Sequence, residues 1–264
     1  MADLSIFRDK LVVITGASSG IGYEMSRLLA RSGSRLVLVS RNAGELERVK
    51  RDLSTNGGFV EIIPADLSRK DECEALIGKL EALGSPVDVL INNAGFGVSG
   101  EYVDTPWDEI EKVIAVSSVA VAHLTHWAAS RMKQRRSGYL LNVSAAAGFQ
   151  PQPYFAAFGA CKAFVTSLSV ALYQELKAYN VVVSCLHPGA TESAFGKRAG
   201  IDTTRALRMF GTMPAEFVAR VGLEGLAAKR PFVIAGALYK MIYYSSRITP
   251  KRMGLKLMSF LFQK

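Results

Sequence analysis

Cysteine is scarce in this 264-residue sequence: Cys73, Cys161 and Cys185 are its only three, an odd number with no CxxC pair. That excludes a disulfide framework and a zinc site built on paired thiolates, and it fits the reduced thiols of a cytosolic protein. Histidine is as rare, also at three. His123 and His126 share a helix face but have no Cys, Asp or Glu partner at zinc-like spacing, so they read as ordinary helix residues. No run of eighteen uncharged apolar residues occurs, which argues against a spanning helix. The opening MADLSIFRDK lacks the apolar centre of a secretory leader, so the expected location is cytoplasmic. Repeats, low-complexity runs and linkers are missing too. A chain of this length buries roughly 70–75% of its unfolded surface and needs no staple to fold.

Acid is missing from one end. From Gly225 to Lys264 there are eight basic residues and no Asp or Glu, which leaves 24 basic against 23 acidic side chains in the rest. Eight of the nine formal positive charges therefore sit on the tail. This asymmetry points to an interaction surface there and not to a nucleic-acid-binding fold. The stretch GALYKMIYYSSRITPKRMGLKLMSFLFQK mixes Leu, Met, Phe and Tyr with spaced Lys and Arg. It predicts a helical extension over 236–264, suited to an anionic membrane surface or to packing on the body or another subunit.

What is present alternates. Nearly continuous apolar, β-branched runs at 11–15, 35–40, 59–64, 87–92, 139–144, 181–187 and 231–235 read as strands covered on both sides. Helix-length segments lie between them at about 20–32, 43–55, 68–83, 106–133, 153–179 and 214–228. Strict β/α alternation predicts a Rossmann-like, doubly wound α/β fold with a mostly parallel seven-stranded sheet, helices on both faces and right-handed crossovers. The long interval 190–213 follows a strand's C-terminal end, where open α/β sheets bind ligands, and so reads as a substrate loop.

The first strand runs into TGASSGIG, Thr15 to Gly22, and then a helix. Gly16 permits the tight turn, Gly20 lets a pyrophosphate approach the backbone, and Gly22 lets the helix pack on the strand. The helix N-terminus offers free N–H groups to phosphates. Strand, glycine turn and helix in one βαβ unit predict dinucleotide binding, in a single domain over 1–235. The second strand ends in Ser40-Arg41 where an NAD site usually carries a carboxylate. A guanidinium grips a ribose 2′-phosphate, so NADP is expected over NAD; the plain alternative is a solvated arginine opening a helix.

From Lys10 to about Ile234 the sequence resembles the short-chain dehydrogenase/reductase family, near its compact bacterial-type members. The glycine pattern is Thr15–Gly22, the Asn-Asn-Ala-Gly signature is Asn92–Gly95, and the acidic residue after strand three is Asp66 in PADLS. The active-site serine is Ser144 in LLNVSAAAG, and the Pro-Gly after strand six is Pro188-Gly189 in LHPGATES. The resemblance implies cofactor contacts from Gly16, Ser18, Ser19, Gly20, Ile21, Gly22, Arg41, Asp66, Leu67, Asn93, Ala94, Gly95, Lys162, Pro188, Gly189 and Thr191. It also implies a small carbonyl or alcohol substrate and a homodimer or homotetramer, with no metal and no nucleic acid.

The family moves a hydride between a nicotinamide and a carbonyl or alcohol. A serine holds the reacting oxygen, a tyrosine exchanges the proton, a lysine four residues on binds the ribose, and an asparagine supports a relaying water. A phenol with pKa near 10 needs a nearby cation to work at neutral pH, and i, i+4 spacing supplies one. Carried over singly, Ser144 and Lys162 match, the asparagine position falls on Ser117 in VIAVSSV, and the tyrosine position falls on Phe158 in AAFGACKAF. Phenylalanine has no proton to give. Tyr154, one turn earlier, reads as a pocket-lining residue more readily than a replacement, and His187 as a packed strand end. Three readings stay open: an NADP-dependent oxidoreductase with altered activity, a cofactor-binding sensor or partner without turnover, and an engineered Tyr→Phe variant of an active enzyme. Phe96, Val98, Phe149, Tyr154, Phe195 and Met209 are expected to line an apolar pocket. A hydroxyl added at 158 is expected to point into its open space.

Overall fold

The computed structural model describes residues 3–54, 58–201 and 204–263. The expected helix end at 55, positions 202 and 203 of the substrate loop, and the last residue of the tail lie outside them. Seven strands form one sheet: β1 Leu11–Thr15, β2 Arg35–Ser40, β3 Val60–Pro64, β4 Val89–Asn92, β5 Gly138–Val143, β6 Val181–His187 and β7 Phe232–Ile234. Their order is β3-β2-β1-β4-β5-β6-β7, and every pairing is parallel. The chain reverses its direction of travel across the sheet between β1 and β4, where Val13 is in register with Val37 on one side and Leu90 on the other. A crevice opens at that switch point, above the strands' C-terminal ends.

The apolar runs are continuous because alternate residues feed two cores. Val12, Ile14, Leu36, Leu38, Val89 and Ile91 face one side, with residues of α1 (Gly20–Arg31), α2 (Ala43–Ser54) and α9 (Ala215–Ala227). Leu11, Val13, Val37, Val39, Leu90 and Leu140 face the other, with residues of α3 (Lys70–Ala82) and α5 (Ala120–Arg135). Helix α6 (Ala156–Leu176) packs on β6 at this face. Burying each such side chain contributes about 1.5–3 kcal/mol.

Several boundaries move for identifiable reasons. β4 starts at Val89, and just before it the Asp88 carboxylate accepts the Leu11 N–H at 2.9 Å. The helix expected over 106–133 runs from α4 (Trp107–Ile114) to α5 with a π-turn, Ala115–Val119, between them. The helix expected from 153 begins at Ala156, because Tyr154 has φ +61 and cannot be helical. The interval 190–213 contains α7 (Ala194–Ala199) and α8 (Arg205–Phe210), and a Thr191–Met213 bridge ties its ends together. The tail forms two helices, α10 (Ala237–Ile248) and α11 (Lys251–Phe262), divided at Pro250. Contrary to the sequence expectation, two helical spans, Trp107–Arg135 and Ala156–Tyr179, are long and apolar enough to cross a bilayer. In this structure α5 lies on β4 and β5, and α6 lies on β6.

Candidate active site

The loop after β1 is joined to the loop after β4. Thr15 Oγ1 accepts the N–H groups of Asn93 and Ala94, each at 3.0 Å, while Asn93 Nδ2 donates to the carbonyls of Thr15 (3.0 Å) and Gly16 (3.2 Å). Gly16 and Gly20 have φ +66 and +55, left-handed values that favour glycine. A Cβ on Gly22 would stand 2.3 Å from the Gly16 carbonyl oxygen, so no larger residue closes this cradle. Ser19 caps α1 without a side-chain hydrogen bond to it. The first-turn N–H groups of α1 therefore look for an outside acceptor, and a pyrophosphate supplies one. The cradle fits a dinucleotide.

At its adenosine end Ser18 Oγ lies 3.0 Å from Ser40 Oγ, and Arg41 is exposed. Arg48, which the sequence reading did not select, reaches the Ser18 carbonyl at 3.5 Å and pairs with Asp52. It lies seven residues beyond Arg41, about two helical turns, a spacing that would have flagged it. Burial pushes the Asp66 carboxyl up, but hydrogen bonds from the Ser68 N–H and hydroxyl, with the Arg41 and Arg69 charges, leave it below the ordinary range. Asp66 is thus an anion beside Arg41. Leu67 is buried in the adjoining core.

The residues expected at the reacting end lie between β4, β5 and α6. Lys162 is buried, donates from Nζ to the Val143 carbonyl at 2.8 Å, and is lowered by burial to about 8. A Cβ on Gly95 would stand 3.4 Å from Lys162 Nζ and 3.5 Å from Ser117 Oγ. Lys162, Ser117 and Gly95 therefore meet at one point, to which the π-turn brings Ser117; its hydroxyl donates to the Phe96 carbonyl at 3.4 Å. π-Turns are frequent at functional sites. One helical turn before Lys162, the Phe158 ring centroid is 5.4 Å from Nζ.

Ser144 Oγ is 2.7 Å from the Lys162 carbonyl and 2.8 Å from Thr166 Oγ1, which lies 3.1 Å from His187 Nε2. His187 Nδ1 faces the Val233 carbonyl at 3.1 Å, and a carbonyl only accepts, so Nδ1 carries the ring proton. Burial lowers His187 to about 4, so it is neutral at working pH, with Nε2 facing the Thr166 hydroxyl and the Cys185 thiol as an acceptor. Thr166 is another residue the sequence reading passed over, although it lies four places after Lys162 on the same helix.

Pro188 accepts the Ala146 N–H at 2.7 Å, and Thr191 Oγ1 donates to the Gly189 carbonyl. A Cβ on Gly189 would stand 1.9 Å from the Tyr239 ring, whose Oη accepts the Ala190 N–H at 2.8 Å. α10 thus packs directly on the loop after β6. The substrate loop reaches the cradle as well, since a Cβ on Gly20 would lie 3.0 Å from Ser193 Cβ. Ser99 holds its middle through the Ala199 and Gly200 carbonyls.

Two pocket expectations need correction. Phe149 turns away from the apolar cluster and packs on His187, Phe232 and Tyr243, and Met209 is exposed. Phe96, Val98 and Phe195 do gather with Phe155 and Phe158. Nor does Phe158 face open space: it is 4% exposed, with Phe155 at 4.6 Å and Phe195 at 5.2 Å between ring centroids. The residue that closes over it comes from α7, which the sequence reading treated as loop. Tyr154 stands at the rim, half-buried, its carbonyl accepting the Gly100 N–H.

The profile of the short chain dehydrogenase family matches residues 10–203. An uncharacterized oxidoreductase of Staphylococcus aureus (strain MRSA252) is 30% identical over 191 residues, covering 72% of this chain and 82% of the relative. A solved short-chain dehydrogenase from Sphingobium yanoikuyae in complex with NADPH superposes with a TM-score of 0.83 at 32% identity, covering 96% of this chain and 97% of that one. A short chain dehydrogenase/reductase from Burkholderia phymatum in complex with NAD gives a TM-score of 0.83 at 26% identity, covering 95% and 96%.

Proposed function

The chain belongs to the short chain dehydrogenase family, and on that premise we propose that it binds NADP(H) and transfers a hydride between the nicotinamide and a small carbonyl or alcohol, at a rate limited by Phe158. One observation carries the reading: Lys162, Ser117 and Gly95 converge beside a glycine cradle joined to the Asn93 loop. Bound there, the nicotinamide supplies or takes up the hydride. The backbone of 16–22 holds the pyrophosphate, and Asp66 and Leu67 border the adenine. Arg41, supported by Arg48 and the Ser18–Ser40 pair, grips the 2′-phosphate. One of the three Lys162 ammonium protons goes to Val143, which leaves two for the ribose hydroxyls. Ser144 holds the reacting oxygen. Phe158 leaves that oxygen without the proton donor that the family resemblance implies there.

A second reading, a cofactor-binding sensor without turnover, is favoured by the burial of Phe158 and by the inward hydrogen bonds of Ser144. We assign residues 1–235 to the body and 236–264 to an extension, and we place the protein in the cytoplasm, where the extension can meet a membrane surface. Members of the family are oligomeric, and a homodimer or homotetramer is the proposed assembly.

The experiment is a titration with NADPH and NADH, then turnover on a carbonyl panel for the protein and for Phe158→Tyr. NADPH should bind at least about tenfold more tightly than NADH, and Arg41→Ala should erase the preference. The tyrosine variant should turn over about 10² to 10⁴ faster, the usual contribution of a general acid. Equal affinities for the two cofactors would remove the NADP reading. Turnover by neither protein would favour the sensor, and equal rates would assign the proton to Tyr154 or a water.

A further inference from the structure

Helices α10 and α11 each present an apolar stripe on the side turned away from the body. On α10, Tyr239 and Tyr243 face inward, against Gly189 and against Phe149 and Phe232. Met241, Tyr244 and Ile248 lie on the opposite side at i, i+3 and i+7, exposed by 64%, 68% and 85%. On α11, Met258 and Leu261 are buried while Met253, Leu257 and Phe260 form an exposed stripe at i, i+4 and i+7. Core packing does not explain an outward stripe of this length. Lys240 and Arg247 flank the first stripe, and Arg252 and Lys256 the second. From Gly225 to the end no acidic residue opposes them.

We propose that helices α10 and α11 dock on an anionic lipid bilayer and set the substrate loop against that surface. Apolar stripes bordered by cations, with no acid, are the composition of a helix that lies at a lipid interface. A second copy fits less well, because a twofold contact would bring two acid-free basic faces together. The two helices are also tied to the site: Tyr239 accepts the Ala190 N–H, Gln152 Nε2 donates to Met258 Sδ at 3.8 Å, and Arg205 of α8 donates to the Phe260 carbonyl at 3.0 Å. Docking of these helices therefore puts the loops around Ser144 and the substrate loop next to the bilayer. Resting on the oxidoreductase reading, this makes the substrate an apolar carbonyl or alcohol drawn from the lipid phase.

Flotation with phosphatidylcholine vesicles, with and without phosphatidylserine, tests the docking. The full chain should float with the anionic vesicles and be released by salt, since basic residues near such a surface contribute about fivefold each. The double variant Ile248→Asp/Met253→Asp should lose binding at least about tenfold while keeping its circular dichroism and NADPH affinity. Flotation that persists in this variant, or no flotation of a folded, NADPH-binding protein, would overturn the proposal. So would a dimer that the same substitutions dissociate, which would give the stripes to a second copy. Flotation without NADPH binding would instead leave the docking standing and sink the oxidoreductase reading.

Discussion

Lys162 is a cation kept in a buried place. Its ordinary pKa of 10.5 is lowered to about 8 by burial, so below about 8 the folded chain must hold a desolvated charge. Between those two values the unfolded chain binds a proton that the folded chain has released, and stability therefore rises with pH across that window. The penalty is full below about 8 and fades by about 10.5. With no cofactor bound, Lys162→Met should be more stable than the parent at pH 7 by about 2 kcal/mol, after the lost hydrogen bond to Val143 is set against the relieved charge. Urea unfolding at pH 7 and pH 10 measures it. An advantage that does not shrink at the higher pH would show that the lysine is not a stored charge. A residue held at such a cost suits a binding role better than a structural one.

At the scale of elements, the sequence was legible wherever local chemistry decides the outcome. β1, β2 and β6 fall on their predicted residues, because burial on both faces favours apolar side chains at successive positions. The cradle was legible because Gly16 and Gly20 hold left-handed backbone, and glycine announces that need in its own letter. The π-turn at Ala115–Val119 was hidden, since no residue type encodes it; the contact of Ser117 with Phe96, across from another loop, accompanies it. α7 and α8, of six residues each, are too short to be stable alone and rest on tertiary contacts such as Arg205 against Phe260. Phe149 was placed in the wrong cluster for the same reason. Its partners Phe232 and Tyr243 belong to later elements, and an aromatic letter does not say which of two sides it will fill. Ser144 and Lys162 could be named from the motifs, but the Thr166–His187 chain behind Ser144 needed coordinates.

Among the described residues, two of the exposed apolar surfaces differ in charge. That of α10 and α11 is basic. The other lies on α6, where Phe164 and Val170 are 44% and 40% exposed, with Ala160, Ala163 and Ala171 exposed among them; Val119, at the end of the π-turn, is 59% exposed. Only 33% of the apolar window of the Ala156–Tyr179 span is buried, against 56% for Trp107–Arg135. Small residues between larger apolar ones allow a helix to approach its own copy closely, and nothing basic stands among these on α6 to repel it. For the proposed homo-oligomer, this face is the predicted contact. Phe164→Glu/Val170→Glu should convert a dimer or tetramer to a smaller species in light scattering, at unchanged vesicle flotation per chain. Ile248→Asp/Met253→Asp should do the reverse, abolishing flotation and leaving the mass as it was. If the glutamate pair leaves the mass unchanged, the subunit contact lies elsewhere; if each pair disturbs both readouts, the two surfaces act as one.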